Sequence, residues 1–194
     1  MDRPNILFLF SDEHSFRYMG YMAHDGGEPC STPAFDQLAM GGPVFPDAYC
    51  QMPLCPPSRL CVLTGREAAR AGAWTNQSVL RPDLPTMAGV LGAAGYETCL
   101  VGKMHLGGNR QFAGFHHRPY GDLTGKCGHQ WEPLGDERRS SMRTRTAGAG
   151  VTEVPESLIQ DRVVATETLA FIRDHAADRP HQPWLVCASF SRPP

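Results

Sequence analysis

The chain has 194 residues, 41% of them hydrophobic and 20% charged, with a formal net charge of -2. That is the balance of one ordinary globular domain, whose core at this length buries roughly 70% of the surface exposed by the unfolded chain. So small a charge offers no basic field for nucleic acid, and no run approaches the ~20 apolar residues of a membrane span, so neither is expected as a partner and anion selectivity must be local to a site. Seven cysteines, at 30, 50, 55, 61, 99, 127 and 187, are odd in number and form no Cys-x-x-Cys pair. Neither a disulfide framework nor a zinc ribbon is indicated. The apolar start lacks the basic region and small-residue cleavage site of a secretory leader. A cytoplasmic location is expected, or a periplasmic or secreted one for a chain whose leader has been removed.

Ile6 to Phe10 is an uninterrupted apolar run, which predicts a strand buried on both faces of a parallel sheet. It runs into Ser11-Asp12-Glu13-His14. Ligands gather at the carboxyl ends of such strands, so Asp12 and Glu13 lie where chemistry is expected, although an acidic pair taken alone is more often a solvated turn or a cap. Thr32-Pro33 reads as the N-cap and first-turn proline of a helix through Met40, ended by Gly41-Gly42. Val44 to Tyr49 is the next strand candidate.

Cys55-Pro56-Pro57-Ser58-Arg59 then opens a helix that stops at Gly65. Pro57 suits a first helical position because its missing N–H would have had no partner there. Cys55 sits at the helix mouth, where free N–H groups and the positive end of the dipole favour an anion, and Arg59 adds a forked, permanent cation. Cys50 and Cys61 flank this segment and read as small buried apolar groups. Thr75-Asn76-Gln77-Ser78 contains no Asn-x-Ser/Thr acceptor, so no glycan is indicated there.

Leu84-Pro85-Thr86 starts a further helix, closed by Gly95, and Glu97 to Val101 is a strand followed by Gly102-Lys103-Met104-His105. Lys103 and His105, at i and i+2 of extended backbone, would point the same way and face one anion. From 107 to 155 periodicity is weak, which reads as a long loop-rich insertion facing substrate. His116, His117 and His129 lack metal-ligand spacing and carry no assigned role, and Arg138, Arg139, Arg143 and Arg145 form a charged face. Ser157 to Ala176 is an amphipathic helix with Ile159, Val163, Thr166 and Ala170 on one face, and Trp184 to Phe190 is the returning strand. The alternation predicts an α/β fold, a mostly parallel sheet sandwiched by helices.

The string Cys55-Pro56-Pro57-Ser58-Arg59 with Leu63-Thr64-Gly65-Arg66 resembles the signature of the type I sulfatases, the formylglycine-dependent sulfatases of the alkaline phosphatase superfamily. Asn5 to Asp12, Thr32-Pro33 and Gly102-Lys103-Met104-His105-Leu106-Gly107 fall in that family's order, so the resemblance covers about the first 110 positions, with a looser echo at the final strand. It implies an alkaline phosphatase-like fold and a formylglycine made from Cys55 by a formylglycine-generating enzyme. It further implies a divalent cation, Ca2+ before Mg2+ or Mn2+, held by Asp12, Glu13 and the modified Cys55; oxygen donors suit such hard ions. The family's usual pair is Asp-Asp, from which Glu13 departs. Met104 stands where many members carry tryptophan. A histidine after the last strand, a second metal pair and another sulfate-binding lysine are not found, so the resemblance implies a truncated chain: 1–194 as the N-terminal portion of a catalytic domain, its remainder and a C-terminal subdomain absent.

The implied activity is hydrolysis of a sulfuric ester on a sulfated small molecule or glycan. The modified Cys55 supplies the nucleophile, Arg59 holds it, Lys103 clamps the sulfate oxygens and His105 acts as base. An ester on an aldehyde hydrate can leave as the carbonyl re-forms, which a plain serine or cysteine cannot offer. Two alternatives stay open: a phosphonate monoester or phosphodiester hydrolase of the same superfamily, and a catalytically incomplete fragment that binds only an anion or a partner.

Overall fold

The structure is a computed structural model that describes residues 3–23, 26–121 and 153–191. Its frame is a parallel sheet of β1 (Ile6–Ser11), β2 (Glu97–Gly102), β3 (His117–Gly121) and β4 (Trp184–Phe190), in the spatial order β1-β4-β2-β3. The last strand of the sequence therefore sits inside the sheet, between β1 and β2. All of β2 and the middle of β4 are buried, as near-continuous apolar runs in parallel sheets are.

Helices are α1 (Pro33–Gly41), α2 (Cys55–Thr64), the short α3 (Ala68–Ala71), α4 (Met87–Ala93) and α5 (Gln160–Asp178). Alternation along the strands divides the core. Leu100, Leu185 and Cys187 face Leu60 and Leu63 of α2 and Ala88 of α4, whereas Cys99, Val101, Val186 and Ala188 face Val164 of α5. Fully burying a side chain such as Leu63 contributes about 1.5–3 kcal/mol. Among the described residues no helix is long and apolar enough to cross a membrane.

Several elements differ from expectation, each for a physical reason. Leu7 and Leu9 are nearly half exposed, because among the described residues only the Ile6 and Phe8 face of β1 packs against the core. Val44 to Tyr49 forms no strand, and Phe45 and Tyr49 are exposed; Pro43 and Pro46 remove N–H groups that a ladder would use. The buried face of α5 is Gln160, Val164, Thr168 and His175 rather than the face expected, and Thr166 is exposed. The segment read as a loop from 107 onward contains β3. That strand pairs with β2 through an irregular register near Pro119, a residue tolerated at a sheet edge. His129 and the arginines at 138, 139, 143 and 145 lie outside the described residues.

Helix ends follow their caps. Thr86 Oγ1 accepts from Gly89 N at the start of α4, and Gly65, with φ 63°, closes α2 in the left-handed region where glycine is at home. Thr32 does stand at the head of α1, but its hydroxyl makes no cap; it donates to Asp36 Oδ1 at 3.0 Å and accepts from Gly20 N at 2.8 Å.

Glu97 ties the start of β2 to its neighbours. Oε1 meets His117 Nε2 at 2.5 Å and His116 Nδ1 at 3.4 Å, while Oε2 accepts from Arg179 Nη1 at 2.8 Å and Gln182 Nε2 at 3.3 Å. Burial pushes the carboxyl up, but the His117 hydrogen bond and the charges of His117, Arg179 and His116 outweigh it and hold Glu97 below its ordinary 4.5. A lowered value means stability that is whole above about pH 4.5 and is lost as pH falls through the folded chain's value. Glu97→Gln is expected to cost about 1 kcal/mol at pH 7, since its partners are half exposed and screened. In thermal melts the gap between the two chains should close in acid; a gap of the same size at pH 3 would refute the assignment.

Candidate active site

The site lies where the parallel strands end. Beyond β1, Asp12 stays in the ladder, its N–H donating to Phe190 O at 3.1 Å, and Glu13 then takes φ 56°. A left-handed conformation in a residue with a long side chain costs of order 1 kcal/mol and is held only where the surroundings demand it. The turn places a carboxylate oxygen of Asp12, one of Glu13 and the Sγ of Cys55 all within 4.8 Å of one another. They line a cavity of about 460 Å³ whose wall also includes His14, Cys50, Ser58, Arg59 and Asn76.

Cys55 is itself the first residue of α2, so the helix begins ahead of Pro57. Pro56 and Pro57 carry no N–H, and Ser58 N already donates to Leu54 O at 2.9 Å. The expected fan of free amide donors is thereby thinned. Attraction for an anion rests on the helix dipole and on side-chain cations.

Arg59 is only 1% exposed and is held through both terminal nitrogens, while its buried Nε has no hydrogen-bond partner among the described residues. Nη2 donates to Asp12 Oδ1 at 2.6 Å, Nη1 donates to Lys103 O at 2.5 Å and Ser189 Oγ at 3.0 Å, and the guanidinium lies 4.7 Å from the centre of the Phe10 ring. A buried charge persists only when paired and hydrogen-bonded in this way. Lys103, equally buried, donates from Nζ to Asp12 Oδ2. Burial pushes Asp12 up, but the Lys103 hydrogen bond and the charge and hydrogen bond of Arg59 prevail, so its carboxyl is held below the ordinary range. The cluster is thus an ionised carboxylate clasped by two cations.

His105 departs from expectation. β2 ends at Gly102, with φ 93°, and His105 takes φ 53°, so the backbone is not extended at either position. Lys103 is buried against Asp12 and His105 is half-buried, and neither is among the residues of the cavity wall. The structure therefore gathers Asp12, Glu13, Cys55, Arg59 and Lys103.

Other residues reach the site without a sequence signal. Cys50 is exposed rather than buried, and its Sγ donates to Met52 O and Ser58 Oγ, both at 3.2 Å. Cys61 is buried as expected; Cys99 and Cys187 are buried too, and burial pushes their thiols up to about 12. His14 is pinned through Nδ1 to Ser11 Oγ and Nε2 to Tyr18 O, at 3.2 Å each. Asn76 rides on a turn closed by Ser78 Oγ, which accepts from Trp74 N and Thr75 N at 2.9 and 3.0 Å. That turn's polar sequence, an ST-type loop signal, is the one clue to Asn76 that the chain carries.

The donor set fits a hard divalent cation. Two carboxylates share one corner, and each ionised carboxylate offers about four acceptor positions, so the contacts of Asp12 to Arg59 and Lys103 leave it room for a cation. Thiolate sulfur is the poorer partner; an oxygen at position 55 would complete a uniform oxygen set.

Known proteins resemble this chain. The family model described as Sulfatase matches residues 4–193. Over 132 residues the chain is 35% identical to the "Uncharacterized sulfatase YidJ" of Escherichia coli (strain K12), covering 68% of this chain and 24% of that protein. An alignment of 203 residues with the choline-sulfatase of Rhizobium meliloti (strain 1021) gives 30% identity over 98% of this chain and 38% of that one. A solved structure, of a protein in complex with its substrate D-glucosamine-2-N,6-O-disulfate, superposes with a TM-score of 0.71 at 27% identity, over 96% of this chain and 34% of that one. The chain thus spans less than two fifths of the length of each of these relatives. The expected architecture, an alkaline phosphatase-like α/β fold with a parallel sheet between helices, is the one these structures share with it.

Proposed function

Because this chain belongs to the sulfatase family, whose model it matches over residues 4–193, we propose that it carries part of the active site of a sulfuric ester hydrolase. The observation that supports this reading most directly is the convergence of Asp12, Glu13 and Cys55 within 4.8 Å beside the clasped cations Arg59 and Lys103. Without that convergence the motifs would be separate strings.

In this reading Asp12 and Glu13 hold a divalent cation, Ca2+ before Mg2+ or Mn2+, which supplies charge neutralisation when bound. A formylglycine at Cys55, made by a formylglycine-generating enzyme, supplies a hydrated aldehyde as nucleophile. Arg59 lies one helical turn from Cys55 and orients the group there, while its bond to Asp12 keeps the carboxylate aimed at the same corner. Lys103, behind Asp12, provides the positive charge that a sulfate oxygen needs and keeps Asp12 ionised. His105 is the proposed holder of the nucleophile's proton. Asn76, at the rim, offers an amide to the polar part of the ester. The proposed substrate is a sulfated small molecule or glycan, in keeping with the choline-sulfatase name of one relative and the disulfated glucosamine bound to another.

The test begins with calorimetry of calcium on the 194-residue chain, co-produced with a formylglycine-generating enzyme, and mass spectrometry of the peptide carrying Cys55. Binding is expected, weakened at least about tenfold by Asp12→Asn, together with an aldehyde at position 55. On the whole protein, release of 4-nitrophenol from 4-nitrophenyl sulfate should exceed its release from bis(4-nitrophenyl) phosphate. A persistent thiol with no calcium binding would defeat the proposal, and a preference for the phosphodiester would move the activity to that substrate class.

A further inference from the structure

Asp12, Arg59 and Lys103 come from separate elements, yet each is tied to the same pair of consecutive residues in β4. Phe190 O accepts from Asp12 N at 3.1 Å, Ser189 O accepts from Lys103 N at 3.0 Å, and Ser189 Oγ accepts from Arg59 Nη1 at 3.0 Å. Ser189 is fully buried near the end of an otherwise apolar strand, Trp184 to Phe190. A hydroxyl there is costly unless it is bonded, and its partner is a charged guanidinium.

The opposite wall is built to the same contact. A Cβ at Gly102 would stand 2.1 Å from Ser189 O and 2.8 Å from Val164 Cγ2, so only glycine lets the chain lie close enough for Lys103 N to reach Ser189. Arg59 Nη1 is then shared between Lys103 O and Ser189 Oγ, and Nη2 is left for Asp12. A guanidinium is planar, so pinning one edge sets the direction of the other.

We propose that Ser189 is a positioning residue: its hydroxyl sets the plane of Arg59 against Asp12, while its carbonyl sets where Lys103 leaves β2. The role in turnover rests on the sulfatase reading; the role in fixing the guanidinium does not. Ser189 makes the central strand a shared reference for charges that reach the site from β1, α2 and the loop after β2. Without its hydroxyl, Nη1 keeps the Lys103 carbonyl and a weak contact to Met104 Sδ at 3.9 Å, and the plane can turn away from Asp12.

The experiment is nitrogen-detected NMR of arginine side chains in the 194-residue chain, with the Arg59 signals assigned through its own backbone. In the parent chain, hindered rotation is expected to give separately resolved Nη resonances for Arg59. Ser189→Ala should merge or broaden them, and Ser189→Thr, which keeps Oγ, should restore them. Should alanine fail to fold, Ser189→Cys, nearly isosteric but a weak acceptor, takes its place with the same expectation. In the whole protein, on an ester substrate, Ser189→Ala should lower kcat about tenfold with KM changed less than about twofold. Unchanged Arg59 signals in Ser189→Ala, or threonine failing to restore them, would overturn the proposal. If those signals respond but the whole protein, beyond these 194 residues, releases no sulfate from any ester, positioning stands and the sulfatase reading falls.

Discussion

Cys55→Ala is expected to abolish ester hydrolysis, by at least about 10³-fold or some 4 kcal/mol of transition-state stabilisation, while leaving the fold intact. Cys55 is half-buried at the first position of α2, and the helix is held by residues further along it: Leu60 and Leu63 in the core and Arg59 in its charged clasp. Removing one sulfur from the cavity wall takes nothing from that packing. The melting temperature should therefore stay within a few degrees of the parent, and Gly65 should still close the helix. Cys55→Ser separates chemistry from shape more finely. It returns an oxygen of similar size to the corner shared by Asp12 and Glu13 but no aldehyde, so calcium binding should survive while turnover does not. Steady-state kinetics beside calorimetry measure both. Turnover persisting in Cys55→Ala would remove position 55 from the reaction altogether.

The second large effect is on stability. Arg59→Ala is expected to cost about 3–5 kcal/mol, a large part of the 5–15 kcal/mol by which a domain this size is ordinarily stable. The loss combines a cavity beneath Phe10, a Ser189 hydroxyl and a Lys103 carbonyl without their donor, and an Asp12 carboxylate reduced to a single cationic partner. Arg59→Lys should recover little, because an ammonium is one point of charge and cannot serve Asp12, Ser189 and Lys103 O in three fixed directions. Asp12→Asn supplies the control. Once the carboxylate is gone, Arg59→Ala no longer strands a buried negative charge, so its added cost should be smaller than in the parent. Urea denaturation of the four chains gives the coupling, and strictly additive costs would mean that the short Arg59 to Asp12 contact carries no energy of its own.

Residues whose roles follow from near neighbours in the chain are legible in the amino-acid sequence. The strand ending at Asp12, the helix opening at Cys55 and closing at Gly65, the Thr86 cap and the final strand at Trp184 to Phe190 all stand close to where local patterning puts them. Glu13 is likewise beside Asp12 and Cys55. The departures share a cause, which is that they depend on contacts distant in the chain. Extended backbone would point His105 the same way as Lys103, but a positive φ at 102 and again at 105 turns the chain, and the side-chain types do not announce it. On α5, Ile159 and Val163 are apolar enough to suggest a face, yet the sheet is met by Val164 and Thr168, because the helix rotates to fit β2 and β4 rather than to bury its own most hydrophobic stripe. β3, with its proline and histidine, has almost no strand propensity and exists because β2 offers it an edge.

What the sequence determined by itself was the chemistry in hand: a cysteine at a helix mouth, an arginine one turn along, an acidic pair at a strand end and a lysine after another strand. Each is a short-range property, set by steric and hydrogen-bonding preferences acting over a few residues. Only the tertiary structure decided that these groups meet. It places β4 between β1 and β2, so that Ser189, 130 residues from Arg59, becomes its acceptor, and Asp12 comes to lie across from Lys103, 91 residues away. Such pairings depend on which apolar faces can be buried together, a property of the whole chain. Burial then turns ordinary surface cations into the tightly held charges of the site, because away from water an ion is tolerated only where its partners are already in place.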